Sequence, residues 1–325
     1  MKKINKIKWG IIGLGNIANQ FANDLMLLED AELTAVASRD LAKANDFAQK
    51  FNCTKAYDSY EALFADEEVE IIYIATPHNS HTTLSIKALE NGKHVLCEKP
   101  MALSYSDAIQ MIEASKKNNR FFMEAFWTRF NPSVKEVLQQ VRNGVIGDIK
   151  YINADFAFRG SETENQRLFD KNLGGGALFD IGVYPLFLSY ILLGKPNEIV
   201  AKAIMHKNDI DLQTSMILQY ESAQSILYAS IVSDSDMKAV IAGSKGRIEL
   251  NSPWFVADGY SLFINEEKEA VISLPVLGKG YSHEIIECHN CIRNNQIESK
   301  YWSHQNSLDL SGIVEEIKNQ IKLSF

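Results

Sequence analysis

Three side chains in this sequence could move a proton and stabilise a charge. Asp180 and Tyr184 are four residues apart and follow three consecutive glycines at 174–176. On a helix, residues four apart share a face, and glycines let another group approach the backbone closely. An alcohol that gives up hydride must also lose its hydroxyl proton. A tyrosine, whose ordinary pKa is about 10, can take that proton when an ammonium group such as that of Lys99 lowers its pKa. Taken alone, the pair also fits an amphipathic helix with one buried hydroxyl.

A glycine-rich turn near the N-terminus could hold the phosphates of a dinucleotide. The sequence GLGNIA at 13–18 fits the pattern G-x-G-x-x-A, with a strand-like run before it and a helical pattern after it. Gly13 permits a tight turn, Gly15 lets the backbone approach a pyrophosphate, and Ala18 allows close packing of helix on sheet. Asn16 and Ile17 open the helix, whose N-terminus faces the phosphates. We predict a cofactor site here, the alternative being an ordinary turn between a strand and a helix.

The end of the second predicted strand distinguishes between the two nicotinamide dinucleotides. An NAD site favours an acidic residue at this strand tip, where it binds the ribose 2′-hydroxyl. Here the tip holds Ser38 and then Arg39. A hydroxyl and a guanidinium suit a 2′-phosphate, because arginine makes paired, charge-assisted hydrogen bonds to phosphate. We therefore predict NADP rather than NAD. In the alternative, Asp40 binds the ribose and Arg39 is an exposed charge.

Two further strand ends carry polar residues. One strand-like run ends in Thr76-Pro77, with His81 soon after, and the next ends in Glu98-Lys99 before a proline. Ligands of open α/β sheets bind outside the carboxyl ends of the strands, so we expect all five residues at the cofactor site. By itself, a lysine at a strand end is more often an exposed charge, and His81 could instead pack or cap.

Aromatic and basic residues beyond these strands are candidates for lining the ligand cleft. Trp127 and Arg129 could contact the cofactor, and Trp127 and Phe158 could flank the substrate. Aromatic side chains are usually part of a core, which is the alternative for the two aromatic residues.

These candidates need a scaffold, and the pattern of the chain predicts one. Before Glu124, strand-like and helix-like segments alternate, as in a parallel sheet covered by helices on both faces. After Glu124, strand-like runs separated by turn residues recur over 214–276, which predicts a mostly antiparallel sheet with a few helices. We predict an α/β protein with an N-terminal, doubly wound Rossmann domain at 1–124. A C-terminal α+β domain with an open, mostly antiparallel sheet follows at 125–325.

Composition and charge exclude several classes of protein. The 325 residues carry 33 Lys and Arg against 41 Asp and Glu, a net charge of −8, whereas broad nucleic-acid binding needs a basic surface. Four cysteines are too few for a disulfide scaffold. Cys288 and Cys291 lie in a helical pattern, so we expect them to pack and not to bind zinc. The apolar run Trp9–Leu14 is too short for the core of a signal peptide, and we find no stretch of about 18 apolar residues. We expect a cytoplasmic protein that binds neither nucleic acid nor membranes nor metal.

Taken together, the motifs resemble the Gfo/Idh/MocA oxidoreductase family. The resemblance rests on GLGNIA at 13–18, TPHNSH at 76–81, GKHVLCEKP at 92–100, EAFWTRFNP at 124–132, GGGALFDIGVY at 174–184 and GYSHE at 280–284. These segments occur in order across essentially the whole chain, which makes the match far more specific than any one motif. Within the family, the FWTRFNP and DIGVYP segments are most similar to the NADP-dependent dimeric dihydrodiol dehydrogenases, also described as D-xylose dehydrogenases.

The resemblance implies a Rossmann domain followed by a domain whose open sheet often forms a dimer interface. It also implies that Lys99 lies beside the nicotinamide and the substrate, and that the Lys99–Pro100 peptide bond is cis. Asp180 and Tyr184 match paired positions of the family. Many members have histidine where this chain has Tyr184, which favours the subgroup that uses tyrosine. We assign Tyr184 as general acid/base and Lys99 as its electrostatic and proton partner. Asp180 then orients the substrate hydroxyl or Lys99.

The expected function is hydride transfer between NADP and a secondary alcohol of a sugar, polyol or trans-dihydrodiol, by a homodimer or larger homo-oligomer. The residues expected to contact substrate are Lys99, Trp127, Phe158, Asp180 and Tyr184. Two other hypotheses stay open. A non-catalytic NAD(P)-binding regulator has the same fold, but the joint presence of the three catalytic candidates argues against it. An NAD-assisted glycosidase, an activity known among relatives, is disfavoured because position 184 is not histidine.

Overall fold

A six-stranded parallel sheet is the scaffold of the N-terminal part of the chain. The computed structural model describes residues 5–325, so residues 1–4 of the basic N-terminal stretch lie outside the described residues. The strands are β1 (Ile7–Ile12), β2 (Ala31–Ala37), β3 (Lys55–Tyr57), β4 (Ile71–Ile74), β5 (His94–Glu98) and β6 (Phe122–Ala125). They lie in the order β3-β2-β1-β4-β5-β6, and every pairing is parallel. This order confirms the doubly wound sheet predicted from the alternating pattern.

Helices connect these strands, and several of their ends carry ordinary start and stop signals. The helices are α1 (Asn16–Leu25), α2 (Leu41–Lys50), α3 (Tyr60–Phe64), α4 (His81–Glu90) and α5 (Tyr105–Asn118). Ser104 caps α5 by accepting a hydrogen bond from the N–H of Asp107 at 3.1 Å. Gly92 follows α4 with a left-handed φ of +76°. All four residues of β4 are fully buried, as expected for a strand packed on both faces.

The C-terminal sheet has eight strands and is mostly antiparallel, as predicted. The strands are β7 (Ile149–Ala157), β8 (Glu198–Met205), β9 (Asp211–Gln219), β10 (Gln224–Ser230), β11 (Ala239–Gly243), β12 (Gly246–Leu250), β13 (Gly259–Ile264) and β14 (Glu267–Ser273). Their order is β14-β13-β12-β11-β7-β10-β9-β8, and only β7 and β10 pair in parallel. Sequence analysis missed the edge strand β8. Its outward residues include the apolar Val200 and Ile204, which weakens the apolar–polar alternation of a half-solvated strand.

Among the remaining helices, one differs from the prediction at its N-terminal end. They are α6 (Pro132–Arg142), α7 (Val183–Leu193), α8 (Tyr281–Arg293) and α9 (His304–Gln320). Asn131 caps α6, accepting from the N–H groups of Ser133 and Val134 at 2.8 and 3.2 Å. The regular helix predicted from position 177 begins instead as a π-helical turn at Leu178–Gly182, which precedes α7.

The compact units of the chain differ from the domains predicted to meet after residue 124. The first unit comprises the chain up to Phe130 together with Leu277–Leu308, and the second comprises Asn131–Val276 and Asp309–Phe325. The first unit extends six residues past the predicted boundary and also contains Leu277–Leu308. The division into a cofactor domain and a substrate domain stays a prediction.

The segment Leu277–Leu308 forms a hydrogen bond with the edge strand β6 of the first unit. A carboxylate of that unit in turn caps the first helix of the segment. The backbone N–H of Phe122 in β6 donates to the carbonyl oxygen of Ile297 at 3.0 Å. The buried carboxylate of Asp24 in α1 accepts from the N–H of Gly280 at 3.0 Å, at the start of α8. The change of sequence pattern at Glu124 therefore marks the end of the parallel sheet and not the end of the compact unit.

One helical stretch of the described residues, 171–193, is long and apolar enough by composition to cross a membrane. The expectation that no stretch reaches this length is therefore wrong. The most apolar window of this stretch has a mean hydropathy of 1.7 and is 78% buried inside the fold. Leu186 and Phe187 of α7 are fully buried, as in the core helix of a soluble protein.

Candidate active site

The turn between β1 and α1 forms an open cradle of backbone N–H groups. Gly13 has a left-handed φ of +82°, and a Cβ there would lie 2.4 Å from the carbonyl carbon of Ala75, so only glycine fits. A Cβ on Gly15 would instead point into open space, since its one neighbour within 4 Å is the oxygen of Gly13, at 3.9 Å. Gly15 is the N-cap of α1. Because glycine has no side chain, it cannot accept hydrogen bonds from the first N–H groups of the helix as a capping residue would. The cradle therefore fits the phosphates of a dinucleotide, and the exposed Asn16 and Ile17 begin the helix beside it.

At the tip of β2, the candidate acidic residue Asp40 caps the next helix. Asp40 is the N-cap of α2, and its carboxylate accepts from the N–H groups of Ala42 and Lys43 at 3.0 and 3.3 Å. The Ser38 hydroxyl accepts from the N–H of Asp40 at 3.2 Å, and Arg39 is exposed. Both capping bonds use Oδ1 of Asp40. The choice of Ser38 and Arg39, and not Asp40, as the groups that meet the ribose stays a prediction.

His81 links the ends of β4 and β5. Its ring is fully buried, with Nε2 2.8 Å from the carbonyl oxygen of Thr76 and Nδ1 2.9 Å from that of Pro100. The Thr76 hydroxyl also accepts from Ser80 Oγ at 2.8 Å, in the short 3-10 turn that follows Pro77. These contacts fit the packing role that the sequence left as the alternative. Cofactor contact by His81 stays a prediction.

Lys99 stands directly after β5, and the predicted cis bond between Lys99 and Pro100 is confirmed. The Glu98 carboxylate accepts from the backbone N–H of Lys99 at 3.1 Å and from the hydroxyl of Tyr73. Tyr73 is fully buried, and burial, reinforced by the charge of Glu98, raises the pKa of its hydroxyl well above the ordinary value. Tyr73 therefore stays protonated and donates to Glu98.

A second carboxyl group interacts with Glu98 and was given no role by sequence analysis. Glu284 in α8 is fully buried, and within the described part of the chain neither of its oxygens has a hydrogen-bond partner. Burial raises the pKa of Glu284 well above its ordinary value, and the negative charges of Glu98 and Asp24 raise it further. This shift disfavours the charged form of Glu284, which limits the negative charge near Glu98.

The two candidates at the end of β6 have different surroundings. Trp127 is partly exposed and stacks on Tyr281, with 4.6 Å between ring centroids and 3° between planes. Arg129 is buried, and its Nε donates to the carbonyl oxygen of Tyr301 at 2.7 Å. Cofactor contact by Trp127 and Arg129 stays a prediction.

In the second unit, the three glycines bring other groups close to the turn that carries Asp180. A Cβ on Gly175 would lie 2.5 Å from the carbonyl oxygen of Leu168. Gly176 has a φ of +107°, and a Cβ there would lie 2.3 Å from Oδ1 of Asp211. The approaching groups are thus the backbone at 167–168 and a buried carboxyl group.

Asp211 holds the N-terminal end of this turn. Its Oδ2 accepts from the N–H of Leu178 at 2.8 Å and from the hydroxyl of Thr214 at 2.6 Å. Burial raises the pKa of Asp211 to about 7, although these hydrogen bonds oppose the shift. Sequence analysis missed Asp211, because a carboxyl at the start of a distant strand gives no local sign of capping.

Asp180 is paired with an arginine that sequence analysis also missed. Asp180 lies in the π-helical turn, and Tyr184 is the second residue of α7. Nη2 of Arg167 donates to Oδ1 of Asp180 at 2.5 Å. Arg167 lies in a short 3-10 turn, Gln166–Phe169, which is too short for any periodicity to indicate a partner. A π-helical turn is rare and is often found at functional sites.

Tyr184 is surrounded by aromatic rings. It is 5% exposed, and its ring centroid lies 5.3 Å from that of Phe156 and 5.5 Å from that of Phe255. Phe156 and Phe255 stack on each other at 4.0 Å. The predicted substrate residue Phe158 lies next to them, 6.3 Å from Phe156. The sequence did not indicate Phe255, which lies in a short 3-10 turn far along the chain.

The predicted catalytic residues are divided between the units. Lys99 belongs to the first unit, and Asp180 and Tyr184 belong to the second. Within the second unit, Asp180 and Tyr184 lie on one helical stretch, next to Arg167. The joint action of Lys99, Asp180 and Tyr184 on one substrate stays a prediction.

The histidine beside the Cys288–Cys291 pair has other partners. Trp9 Nε1 donates to Nε2 of His289 at 2.9 Å, and Nδ1 of His289 lies 3.0 Å from the carboxylate of Asp30. Burial lowers the pKa of His289, which favours the neutral ring that accepts from Trp9. Within residues 5–325, no group of three or more His, Cys, Asp or Glu could hold a metal ion.

Comparisons with known proteins agree with this geometry. The Gfo/Idh/MocA model described as an oxidoreductase family with an NAD-binding Rossmann fold matches residues 7–126, and the Gfo/Idh/MocA C-terminal domain matches residues 134–249. The chain is 35% identical to the trans-1,2-dihydrobenzene-1,2-diol dehydrogenase of Xenopus tropicalis, over 98% of this chain and 99% of that protein. It is 36% identical to the Mus musculus enzyme of the same name, over 98% of each chain.

Among solved structures, the fold is similar to a 3-ketoreductase from Actinomadura kijaniata in complex with NADP and TDP-benzene. The TM-score is 0.89 at 25% identity, over 98% of each chain. The chain therefore belongs to the Gfo/Idh/MocA family of NAD(P)-binding oxidoreductases, as a dehydrogenase or reductase acting on CH–OH groups.

Proposed function

We propose that this protein is an NADP-dependent oxidoreductase that transfers hydride between the nicotinamide and a secondary alcohol of a trans-dihydrodiol, a sugar or a polyol. The names of its full-length relatives support a diol substrate. The name of its structural neighbour, a 3-ketoreductase bound to NADP, supports the same chemistry in the reducing direction.

The observation that carries the proposal is the position of Asp180 and Tyr184 on one helical stretch beside aromatic rings. A carboxylate and a phenol can both hydrogen-bond a substrate hydroxyl. The faces of Phe156 and Phe255 next to Tyr184 can pack against the apolar carbons of a cyclic diol or sugar. This combination suits a small ring-shaped alcohol.

The first unit offers the groups that would hold NADP. The backbone at Gly13 and Gly15 would take the pyrophosphate, and Ser38 with Arg39 would take the 2′-phosphate. The other proposed cofactor contacts are Asn16, Ile17, Thr76, Pro77, Glu98, Lys99, Trp127 and Arg129. When bound, NADP supplies the nicotinamide carbon that exchanges hydride with the substrate carbon.

Each catalytic side chain has one proposed task. In the oxidising direction, Tyr184 accepts the proton of the substrate hydroxyl as hydride leaves the carbon. The ammonium of Lys99 stabilises the phenolate form of Tyr184 and relays the proton. Asp180 accepts a hydrogen bond that orients the substrate hydroxyl or Lys99.

The test is NADPH formation by the purified protein with a trans-dihydrodiol, D-xylose and D-glucose, alongside a chromogenic glycoside. Tyr184→Phe should lower kcat by about 10²–10⁴, the usual contribution of a general acid or base. Tyr190→Phe is the matched control, because it removes a hydroxyl from the same helix that bonds Asp309 at 2.9 Å. Near-normal turnover by Tyr184→Phe would move the proton-transfer role to Lys99. Glycoside cleavage without net NADPH formation would overturn the dehydrogenase proposal.

We further propose that two copies associate through the outer face of the eight-stranded sheet. Val200, Ile217 and Ile226 lie side by side across β8, β9 and β10, and are 46%, 41% and 41% exposed. A continuous apolar row on a sheet face is typical of an association surface.

A cytoplasmic location is also proposed, in line with four cysteines that are all free.

A further inference from the structure

Arg167 contacts the carboxylate that the proposed function assigns to substrate orientation. Its Nη2 lies 2.5 Å from Oδ1 of Asp180, whose side chain is only 13% exposed. Hydrogen bonds between arginine and carboxylate are among the strongest in proteins. Partial burial of the carboxylate also reduces screening by salt. The contact can therefore restrain Asp180 in solution.

The backbone of Arg167 is fixed against the turn that carries Asp180. The carbonyl oxygens of Arg167 and Leu168 lie 2.7 and 2.5 Å from the place that a Cβ of Gly175 would occupy. The N–H of Gly176 donates to the carbonyl oxygen of Leu168 at 2.8 Å. Leu168 is buried in the core of the second unit. This packing therefore holds the backbone of Arg167 beside the turn that carries Asp180.

The second terminal nitrogen of the guanidinium does not hold another segment in place. Nη1 of Arg167 is buried and has no hydrogen-bond partner among residues 5–325. Arg293 in the first unit is different, because it bonds both Asp30 at 2.7 Å and the carbonyl oxygen of Asn5 at 3.2 Å. A buried donor without a partner lowers stability. Proteins accept such losses mainly where function requires the group.

We propose that Arg167 is a positioning residue of the active site, whose guanidinium holds Asp180 oriented and charged for the substrate hydroxyl. The inference rests on the proposed function, because Arg167 acts through Asp180. A cation in contact with a carboxylate favours its charged form. A charged carboxylate accepts a hydrogen bond about twice as strongly as a neutral acceptor. Loss of Arg167 should therefore slow the chemical step and leave cofactor binding intact.

The experiment compares Arg167→Met, Arg167→Lys and the control Lys171→Met in the full-length protein. Lys171 lies on the same segment and pairs with Asp209 at 3.4 Å, so its variant removes an equal charge away from Asp180. Arg167→Met should lower kcat by about 10²-fold, the typical loss when a reacting group is misplaced, with an unchanged KM for NADP. Arg167→Lys should recover part of the loss, because it restores the charge but not the planar fork. Lys171→Met should stay within about twofold of wild type.

A second arm asks whether the effect passes through Asp180. In the Asp180→Asn background, Arg167→Met should lower kcat little further, since both changes disable one unit. An equal loss in both backgrounds, or a lower melting temperature with a normal kcat, would overturn the inference. If Tyr184→Phe is impaired as expected but Arg167→Met is not, only this inference fails. If the wild-type protein oxidises none of the alcohols, the proposed function fails and this inference falls with it.

Discussion

Mild acid should destabilise the first unit through His94, the first residue of the strand that ends at Glu98 and Lys99. Nδ1 of His94 accepts from the backbone N–H of Phe121 at 2.9 Å, which requires that this nitrogen carries no proton. Burial, helped by the nearby charge of Arg120, lowers the pKa of His94 from 6.5 to about 4. The folded protein therefore resists protonation of a ring that the unfolded chain protonates readily.

The pKa shift gives the size and the sign of the effect. The difference between 6.5 and about 4 is about 2.5 pKa units. At about 1.4 kcal/mol per unit, it corresponds to roughly 3 kcal/mol of unfolding free energy. Between these two pH values the unfolded chain binds a proton that the folded protein does not. Stability therefore falls as the pH drops below about 6.5, and the loss is complete near pH 4.

Urea unfolding between about pH 7 and pH 4 measures this loss. His94→Asn is the informative variant, because its side-chain oxygen can still accept from Phe121 but does not titrate. Wild type should lose roughly 3 kcal/mol more than His94→Asn over this interval. Other acid-sensitive groups, His289 among them, contribute equally to both proteins. Parallel stability curves for the two proteins would refute the reasoning.

Three further predictions concern the turn before α7, the cofactor and assembly. The pKa of Asp211 is raised by burial from 3.8 to about 7, so its contribution to stability is full below about pH 4 and is lost as the pH rises through 7. Asp211→Asn should remove that decline in urea unfolding at about pH 5 and pH 8, and an unchanged decline would exclude this carboxyl as its source. Arg39→Ala should raise the KM for NADP by about 10–10²-fold in steady-state kinetics, since a charged hydrogen bond contributes about 1.5–3 kcal/mol. The KM for NAD should stay nearly unchanged. An equal effect on both cofactors would place Arg39 away from the 2′-phosphate. Ile217→Lys should shift the protein from dimer to monomer in light scattering, because it buries a charge in the proposed interface; a dimer of unchanged stability would show that the copies meet elsewhere.

Features set by neighbouring residues could be predicted from the sequence. The glycine turn at 13–18 and the cis bond after Lys99 both depend on short stretches, whether through local geometry or through resemblance. The parallel sheet also followed from local patterns, because strands buried on both faces appear as short apolar runs. Site residues on these stretches could be named, although their roles stay predictions.

Features that depend on distant contacts could not be predicted. Arg167 meets Asp180 only because Gly175 and Gly176 allow the loop backbone to pack against the turn. Asp211 caps that turn from the start of β9. The π-helical geometry at Asp180 is likewise a product of packing and not of periodicity. The sequence showed the glycines, which leave space beside the turn. It did not show that the backbone at 167–168 and the carboxyl group of Asp211 occupy that space.

The return of Leu277–Leu308 to the first unit has a consequence for protein synthesis. When the first 130 residues leave the ribosome, β6 still presents an unpaired edge, because the acceptor at Ile297 has not been made. Exposed edges of this kind recruit other strands. The first unit therefore cannot be completed until Leu277–Leu308 has been translated. We expect a polypeptide released before that point to present an unpaired strand edge, which favours aggregation and chaperone binding.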